Sequence, residues 1–294
     1  IRHVYGIHTR TGQQYVFHGS YFADCTGDGT VGRLAGAAFR YGRESFEESG
    51  EARAPEQADS IGMKVYTTWS YRETNEFIKY PELSWMSIDS SSFMHPQSGA
   101  WCCTGTEDRN NIEEAEYLRD ANLLSIYSYW SFLQQNYPDQ YGSFQLEDVS
   151  LRASKRESVR LEGDIMLTAA DVDLESMYPD TVLQMKRITN PTRSKLVAGS
   201  MILSPLASGL DERDELTSYN LPYRCLYSKN IGNLFMAGRD ISISHILLNE
   251  TDIHSSEVQM GKIAGLAASL CIKYECSPSE INTSHLESLR ELLY

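Results

Sequence analysis

Two short segments carry residue types that hold a ligand at the end of a strand. The first is Tyr21-Phe22-Ala23-Asp24-Cys25-Thr26-Gly27-Asp28-Gly29-Thr30. An apolar start runs straight into a turn with two glycines and small polar side chains. Glycine lets backbone approach a ligand closely, and strand ends opening into such turns are where open α/β sheets bind cofactors. The same residues also suit an ordinary tight turn. The second segment, Asn233 to Ser242, is again an apolar strand, here ending in Gly238-Arg239-Asp240 followed by Ile241. Downstream, Gly261, Ala264, Gly265 and Ala268 are spaced for one smooth helix face, which plain close packing explains equally well.

Acid–base and anion-binding candidates lie nearby. His245 follows the Gly-Arg-Asp turn, and its ordinary pKa near neutrality suits proton transfer; a buried, hydrogen-bonded histidine is the competing reading. His254 caps or lines a helix start. Arg224 can grip a carboxylate or phosphate with its fork, or serve in an ion pair between domains. Arg156, Glu157 and Arg160 form a charge cluster suited to a substrate or to structural ion pairs at helical spacing. Adjacent Cys102 and Cys103 make a strained disulfide and a poor metal pattern, so they are read as packing. Trp69, Trp85, Trp101 and Trp130, with the tyrosines, are read as core rather than as a carbohydrate platform.

The elements that must position these residues follow from the pattern. Val4–Ile7 and Gln14–Phe17 read as a hairpin leading into the strand at Tyr21, and a helix is expected from near Val31. Ile61–Tyr66 alternates like a strand. Asn111 to Gln135 is the clearest helix, capped by Asn110 or Asn111 and stopped by Tyr137-Pro138. A helix is expected near 256–274 and a last one near 279–292, started by Pro278, with Leu286, Leu289, Leu292 and Leu293 as its apolar face. The order of elements suggests a cofactor-side layer built from both chain ends, 1–40 and 233–294, with a substrate or cap domain over 41–232 and the ligand at the domain interface.

Composition bounds the class. The chain has 294 residues, 41% hydrophobic and 22% charged, ordinary values for a soluble globular protein. Its net charge of −14 disfavours nucleic acid and anionic membrane as partners. No apolar run reaches membrane-spanning length, and no metal pattern stands out. The six cysteines show no C-x-x-C pair and read as free thiols, which favours a reducing, cytoplasmic compartment. A signal peptide cannot be assessed in a chain that opens at Ile1.

The two turns, in this order, resemble those of the FAD-dependent oxidoreductase family of the Bacteroidetes type, often labelled xanthan lyase-like. The first resembles its "ATG" motif. Arg156-Glu157-Ser158-Val159-Arg160-Leu161-Glu162-Gly163 resembles its Arg-Glu-Ser-x-Arg-x-x-Gly stretch, and Pro222-Tyr223-Arg224-Cys225-Leu226-Tyr227 its Pro-(Phe/Tyr)-Arg-Cys-Leu-Tyr segment. Cys276-Ser277-Pro278 also fits. The resemblance implies a glutathione-reductase-like α/β FAD-binding fold with an inserted α+β domain. It implies FAD as cofactor, contacted by Thr26, Gly27, Asp28, Gly29, Gly238, Arg239, Asp240, Ile241 and Gly261, and His245 and Arg224 as catalytic candidates. Asp240 would accept a hydrogen bond from the ribityl chain, and the helix near 256–274 would aim its N-terminus at the flavin. The substrate would be a small organic, sugar-related molecule.

Two departures shape the expectation. In the family, a Gly-x-Gly-x-x-Gly in the first strand–helix turn holds the FAD pyrophosphate. The chain is read as carrying no such fingerprint and as a fragment lacking the first βαβ unit. Asp252 stands where the family has an arginine. The chain alone is therefore expected to bind FAD weakly or not at all and to be inactive by itself. The alternative is a non-catalytic binding or assembly remnant of the same fold.

Overall fold

The computed structural model describes residues 1–62, 65–74, 76–77, 79–83, 100–104, 109–155, 157–189, 202–205, 215–251 and 254–293; of 100–104, 202–205, 254 and 255 it describes the main chain alone. The elements begin with β1 (His3–Ile7), β2 (Gln14–His18), β3 (Phe22–Asp24), α1 (Thr30–Ala35), β4 (Phe39–Tyr41), α2 (Phe46–Ser49), β5 (Val65–Glu73) and β6 (Ala100–Thr104). They continue with α3 (Ala115–Asn136), α4 (Pro138–Tyr141), β7 (Phe144–Val149), β8 (Ser154–Lys155), β9 (Val159–Leu161), α5 (Ala169–Asp173), β10 (Thr181–Thr189) and β11 (Ile202–Pro205). The last are β12 (Glu215–Pro222), β13 (Leu234–Met236), α6 (His245–Glu250), α7 (His254–Tyr274), α8 (Pro278–Ser284) and α9 (Leu286–Leu293). The fold is mixed α/β.

The chain forms two compact units. One comprises Ile1–Gly62, Glu157–Pro191 and Arg213–Tyr294, the other Met63–Arg156 and Thr192–Glu212. These divisions fall at other residues than the three segments expected from the sequence. Residues 41–62, 157–191 and 213–232 share a unit with both chain ends.

The smaller unit is an antiparallel sheet, in the order β11-β6-β5-β7, with β8 also beside β5. β5 alternates because one face is buried: Val65, Thr67, Trp69 and Tyr71 point inward. Helix α3 covers that face. Its Ile126, Tyr129, Trp130 and Leu133 pack with Trp69, Tyr71 and Tyr141, and Asn122 donates to Val65 O at 3.2 Å. Trp69 and Trp130 are core, as read from the sequence; Trp85 and the side chain of Trp101 lie outside the described residues. Asn110 accepts from the main chain of Ile112 and Glu113, closing a turn four residues ahead of the helix it was expected to cap. Pro138 opens α4.

The larger unit carries a parallel pair, β3 and β13, in register Leu234↔Phe22, Phe235↔Ala23 and Met236↔Asp24; of β3 only Asp24 is buried. Leu234, Phe235 and Met236 are all buried. Helix α7 contributes Met260, Ile263, Ala264, Ala267, Leu270 and Cys271 to the same core. β4 pairs with β9, and β10 with β12, both antiparallel. The expected hairpin is β1–β2. The expected last helix is two, broken at His285, and Leu292 of its apolar face is exposed. No helix among the described residues is long and apolar enough to cross a membrane.

Candidate functional site

Because β3 and β13 are parallel and in register, both end at the same edge and their turns meet. Ala237 N donates to Asp24 O at 3.0 Å, carrying the pairing one residue beyond the strands. Arg239 then reaches across: its Nε donates to Gly27 O at 2.8 Å and its Nη2 to Asp28 Oδ1 at 3.1 Å. Ser158, just ahead of β9, donates to the same Asp28 oxygen at 2.6 Å. The turns frame a cleft of about 270 Å³ lined by Cys25, Thr26, Gly27, Ala237, Gly238, Arg239, Glu257 and Gly261. That is just under the about 300–1,000 Å³ typical of ligand sites. Glu257 and Gly261, four apart in α7, line it from one helix face.

The glycines are needed for different reasons. Gly27 (φ +73°) lies so close to Arg239 that an added Cβ would sit 2.8 Å from Nε. A Cβ on Gly32 would meet Leu161 Cδ1 at 2.6 Å. Gly238 (φ +114°) opens onto the cleft, with Asp240 Oδ1 at 3.8 Å from such a Cβ.

The reading that the chain carries no Gly-x-Gly-x-x-Gly is corrected here. Gly27, Gly29 and Gly32 stand at that spacing, after a strand and opening a helix. The anion position is nevertheless filled by the chain itself. Asp24 Oδ2 accepts from Gly32 N at 2.8 Å, its Oδ1 accepts from Thr26 N at 3.0 Å and Thr26 Oγ1 at 2.7 Å, and Thr26 Oγ1 accepts from Thr30 N at 2.9 Å. A carboxylate occupies the place a phosphate would take. The turn therefore does not fit a pyrophosphate, whereas the open Gly238 backbone over a buried carboxyl fits the hydroxyl-bearing part of a flavin.

That carboxyl is Asp240, fully buried. Apart from its own main-chain N–H, no donor among the described residues reaches either oxygen. Burial, and then the neighbouring Asp24, push its pKa well above the carboxylate range. Its carbonyl oxygen accepts from Leu161 N at 2.8 Å. Ile241 is core.

His245 does not line the cleft. It opens α6 within a buried charge cluster drawn from four segments. Its Nδ1 lies 2.7 Å from Glu157 Oε2, and Nε2 lies 3.0 Å from Asn249 Nδ2. Its main-chain N–H donates to Glu44 Oε2 at 2.9 Å. Burial first, and then the Arg160 guanidinium, lower the His245 pKa to about 4, so the ring is neutral at pH 7. Arg160, also fully buried, pairs with Glu157, with Glu44 Oε1 at 2.7 Å, and with Gly42 O at 2.7 Å. Glu51 accepts from Ser244 Oγ and from Ala169 N.

Arg224 likewise does not line the cleft. Its Nε and Nη2 clasp Asp180 at 3.0 Å each, within the larger unit. Arg156 and Asp252, and the side chains of His254, Cys102 and Cys103, lie outside the described residues. The cleft residues the sequence reading passed over are Cys25, Ala237 and Glu257. Cys25 sat inside the first turn, and Glu257 stands one helical turn before Gly261, so the signal was present.

The profile of the family described as FAD dependent oxidoreductase matches residues 2–293. The chain belongs to that family. Neither the curated proteins nor the solved structures yield a match.

Proposed function

We propose that the cleft at the ends of β3 and β13 seats the flavin and ribityl end of FAD, in an oxidoreductase acting on a small organic substrate. The observation that carries this reading is Asp240: a fully buried carboxyl without an outside donor, beside Gly238, whose backbone lines the cleft. Ligands of parallel sheets bind beyond the carboxyl ends of the strands, which is where this carboxyl lies.

Each residue has a stated part. Asp240 accepts a ribityl hydroxyl. Gly238, Gly27 and Gly261 let backbone and helix approach the ring, and Gly29 turns the chain into α1. Thr26, Asp28 and Arg239 hold the turns in register. Bound FAD supplies the two-electron redox chemistry. The pyrophosphate is held by a strand–turn–helix unit of the glutathione-reductase type that is not the Gly27–Gly32 turn. Two features support this: Asp24 already fills that turn's anion position, and β3 pairs with β13 alone among the described residues, whereas parallel sheets rarely stop at two strands.

The test is a comparison of FAD, riboflavin and ADP by fluorescence and calorimetric titration. Riboflavin and FAD are expected to bind within about tenfold of one another, and weakly, with ADP not binding. FAD binding on the order of a hundredfold tighter than riboflavin would place a pyrophosphate cradle within this chain. Absence of binding by both flavins to the folded chain would reject the cleft as a flavin seat.

A further inference from the structure

The β1–β2 hairpin brings two histidines together. The strand register sets His3 directly opposite His18, and only that register joins them, which is why no pattern in the sequence marks the pair. The ladder also fixes what kind of pair it is. His8 N donates to Gln13 O at 2.8 Å just past the inner end of the strands, so residues 8 and 13 stand at a hydrogen-bonded position. Hydrogen-bonded and non-hydrogen-bonded pairs alternate along an antiparallel ladder. Counted outward along the register, His3 and His18 form a non-hydrogen-bonded pair. In such pairs the Cα atoms approach most closely and both side chains leave from one face.

The two rings meet across the strands, with centroids 5.7 Å apart and planes inclined at 65°. Tyr5, next along the same face, packs edge-to-face with His3 at 4.8 Å. His18 is exposed and His3 half-buried. A metal bonded to an imidazole nitrogen at about 2.0–2.1 Å stands roughly 3.2 Å from the ring centroid, so a tetrahedral centre holds two such centroids roughly 5.2 Å apart. The observed 5.7 Å is close to that before either ring turns. The strands are clamped just outside the pair. Asn233 Nδ2 donates to Ile1 O at 2.7 Å, on the strand of His3, and to Ser20 O at 2.9 Å, on the strand of His18. A pair fixed in advance costs less to order when a ligand arrives.

We infer that His3 and His18 form a two-nitrogen site for a divalent transition-metal ion, of which Zn²⁺ is the type. The inference is independent of the flavin reading, since neither histidine lines the cleft. Imidazole suits Zn²⁺, Ni²⁺ and Cu²⁺, whereas Mg²⁺ and Ca²⁺ take oxygen donors. Among the described residues no group of three or more histidine, cysteine, aspartate or glutamate side chains is placed to hold a metal. Water therefore completes the coordination and the ion exchanges, unlike a structural zinc site closed by four protein ligands.

The experiment is calorimetric titration with Zn²⁺, in mildly alkaline buffer where imidazole is neutral, of the wild type, His3→Gln, His18→Gln and His8→Gln. His8 is an exposed histidine of the same hairpin, so its variant controls for scattered surface binding. The wild type is expected to bind Zn²⁺, and an excess of Mg²⁺ is expected not to displace it. His3→Gln and His18→Gln should each weaken binding by at least about tenfold, because the second nitrogen of a chelate binds intramolecularly. His8→Gln should bind like the wild type. Absence of Zn²⁺ binding, displacement by Mg²⁺, or an equal loss in His8→Gln would overturn the inference. So would wild-type affinity in His18→Gln, which would put the ion on His3 and the adjoining main chain, or in His3→Gln. A second measurement needs no variant: Zn²⁺ added to the wild type should shift the ring NMR signals of two histidines together, ahead of the rest. Movement of a single histidine, or of none, would reject the pair.

Discussion

At the scale of single residues, the site depends on what backbone and carboxyl atoms are left able to do. Asp240 is predicted to hold a ribityl hydroxyl. A hydrogen bond to such a group contributes about 1.5–3 kcal/mol when charge-assisted and about 1 kcal/mol when neutral. Asp240→Ala should therefore weaken flavin binding by on the order of tenfold to a hundredfold. Asp240→Asn should cost less, because its amide oxygen still accepts. Flavin fluorescence titration of the three proteins checks this; equal affinities would remove Asp240 from the cofactor contacts. Gly27 carries a different constraint. Its positive φ and the Arg239 guanidinium against its Cα leave no room for a side chain. Gly27→Ala should cost about 2 kcal/mol of stability in urea unfolding, from left-handed backbone strain and displacement of Arg239. A change within about 0.5 kcal/mol would mean that the turn relaxes freely.

At the scale of elements, the cleft rests on a clasp of short pieces rather than on one long helix or strand. β9 sends Arg160 into the Glu44–Glu157 pair, while Ser244, capping α6, and the main chain of Ala169 meet Glu51. Burying an arginine among carboxylates is a high-stakes arrangement: removing one partner leaves charge uncompensated, typically at about 3–5 kcal/mol. Arg160→Met is predicted to destabilise by that order in urea unfolding, and adding Glu44→Gln and Glu157→Gln should recover part of the loss. If Arg160→Met alone unfolds like the wild type, the cluster contributes nothing net. The sequence made part of this legible. Glu157 and Arg160 stand at i, i+3 and were read as a charge cluster with an ion-pair alternative. Their partners Glu44 and His245 come from distant segments, and pairing across such separations leaves no local period to read. Helix starts were legible where capping chemistry is local, as at Ser277-Pro278-Ser279-Glu280, where the box forms. The break at His285 was not, because the leucine spacing continues through it.

At the scale of the whole chain, the two glycine turns were readable because each is a contiguous run of strand, turn and polar residue; that they meet follows from β3 and β13 being parallel and in register. The division into units was not readable. β10 and β12 pair with each other although residues between them belong to the other unit, and long-range antiparallel pairing has no signature in composition. The buried titratable groups of the larger unit now set opposing pH limbs. Asp240 favours low pH, because burial first, and then the neighbouring Asp24, hold its pKa above the ordinary carboxylate range, so its contribution is lost as pH rises through the folded value. His245 does the reverse: its folded pKa, about 4, lies below the ordinary value near 6.5. Between those values the unfolded chain binds a proton that the folded chain refuses, so stability is full above about pH 6.5 and is lost as pH falls toward about 4. That gap corresponds to about 3 kcal/mol. His245→Gln keeps a polar side chain at the start of α6 but cannot titrate. The Tm difference between wild type and His245→Gln should be flat above about pH 7 and should shrink steadily below about pH 6.5. Because Asp240 titrates in both proteins, its limb cancels in the difference. Parallel melting profiles across that window would show that the imidazole accepts its proton in place, with Glu157 at 2.7 Å as the ready counter-charge, and would return His245 to the groups able to exchange protons near neutrality.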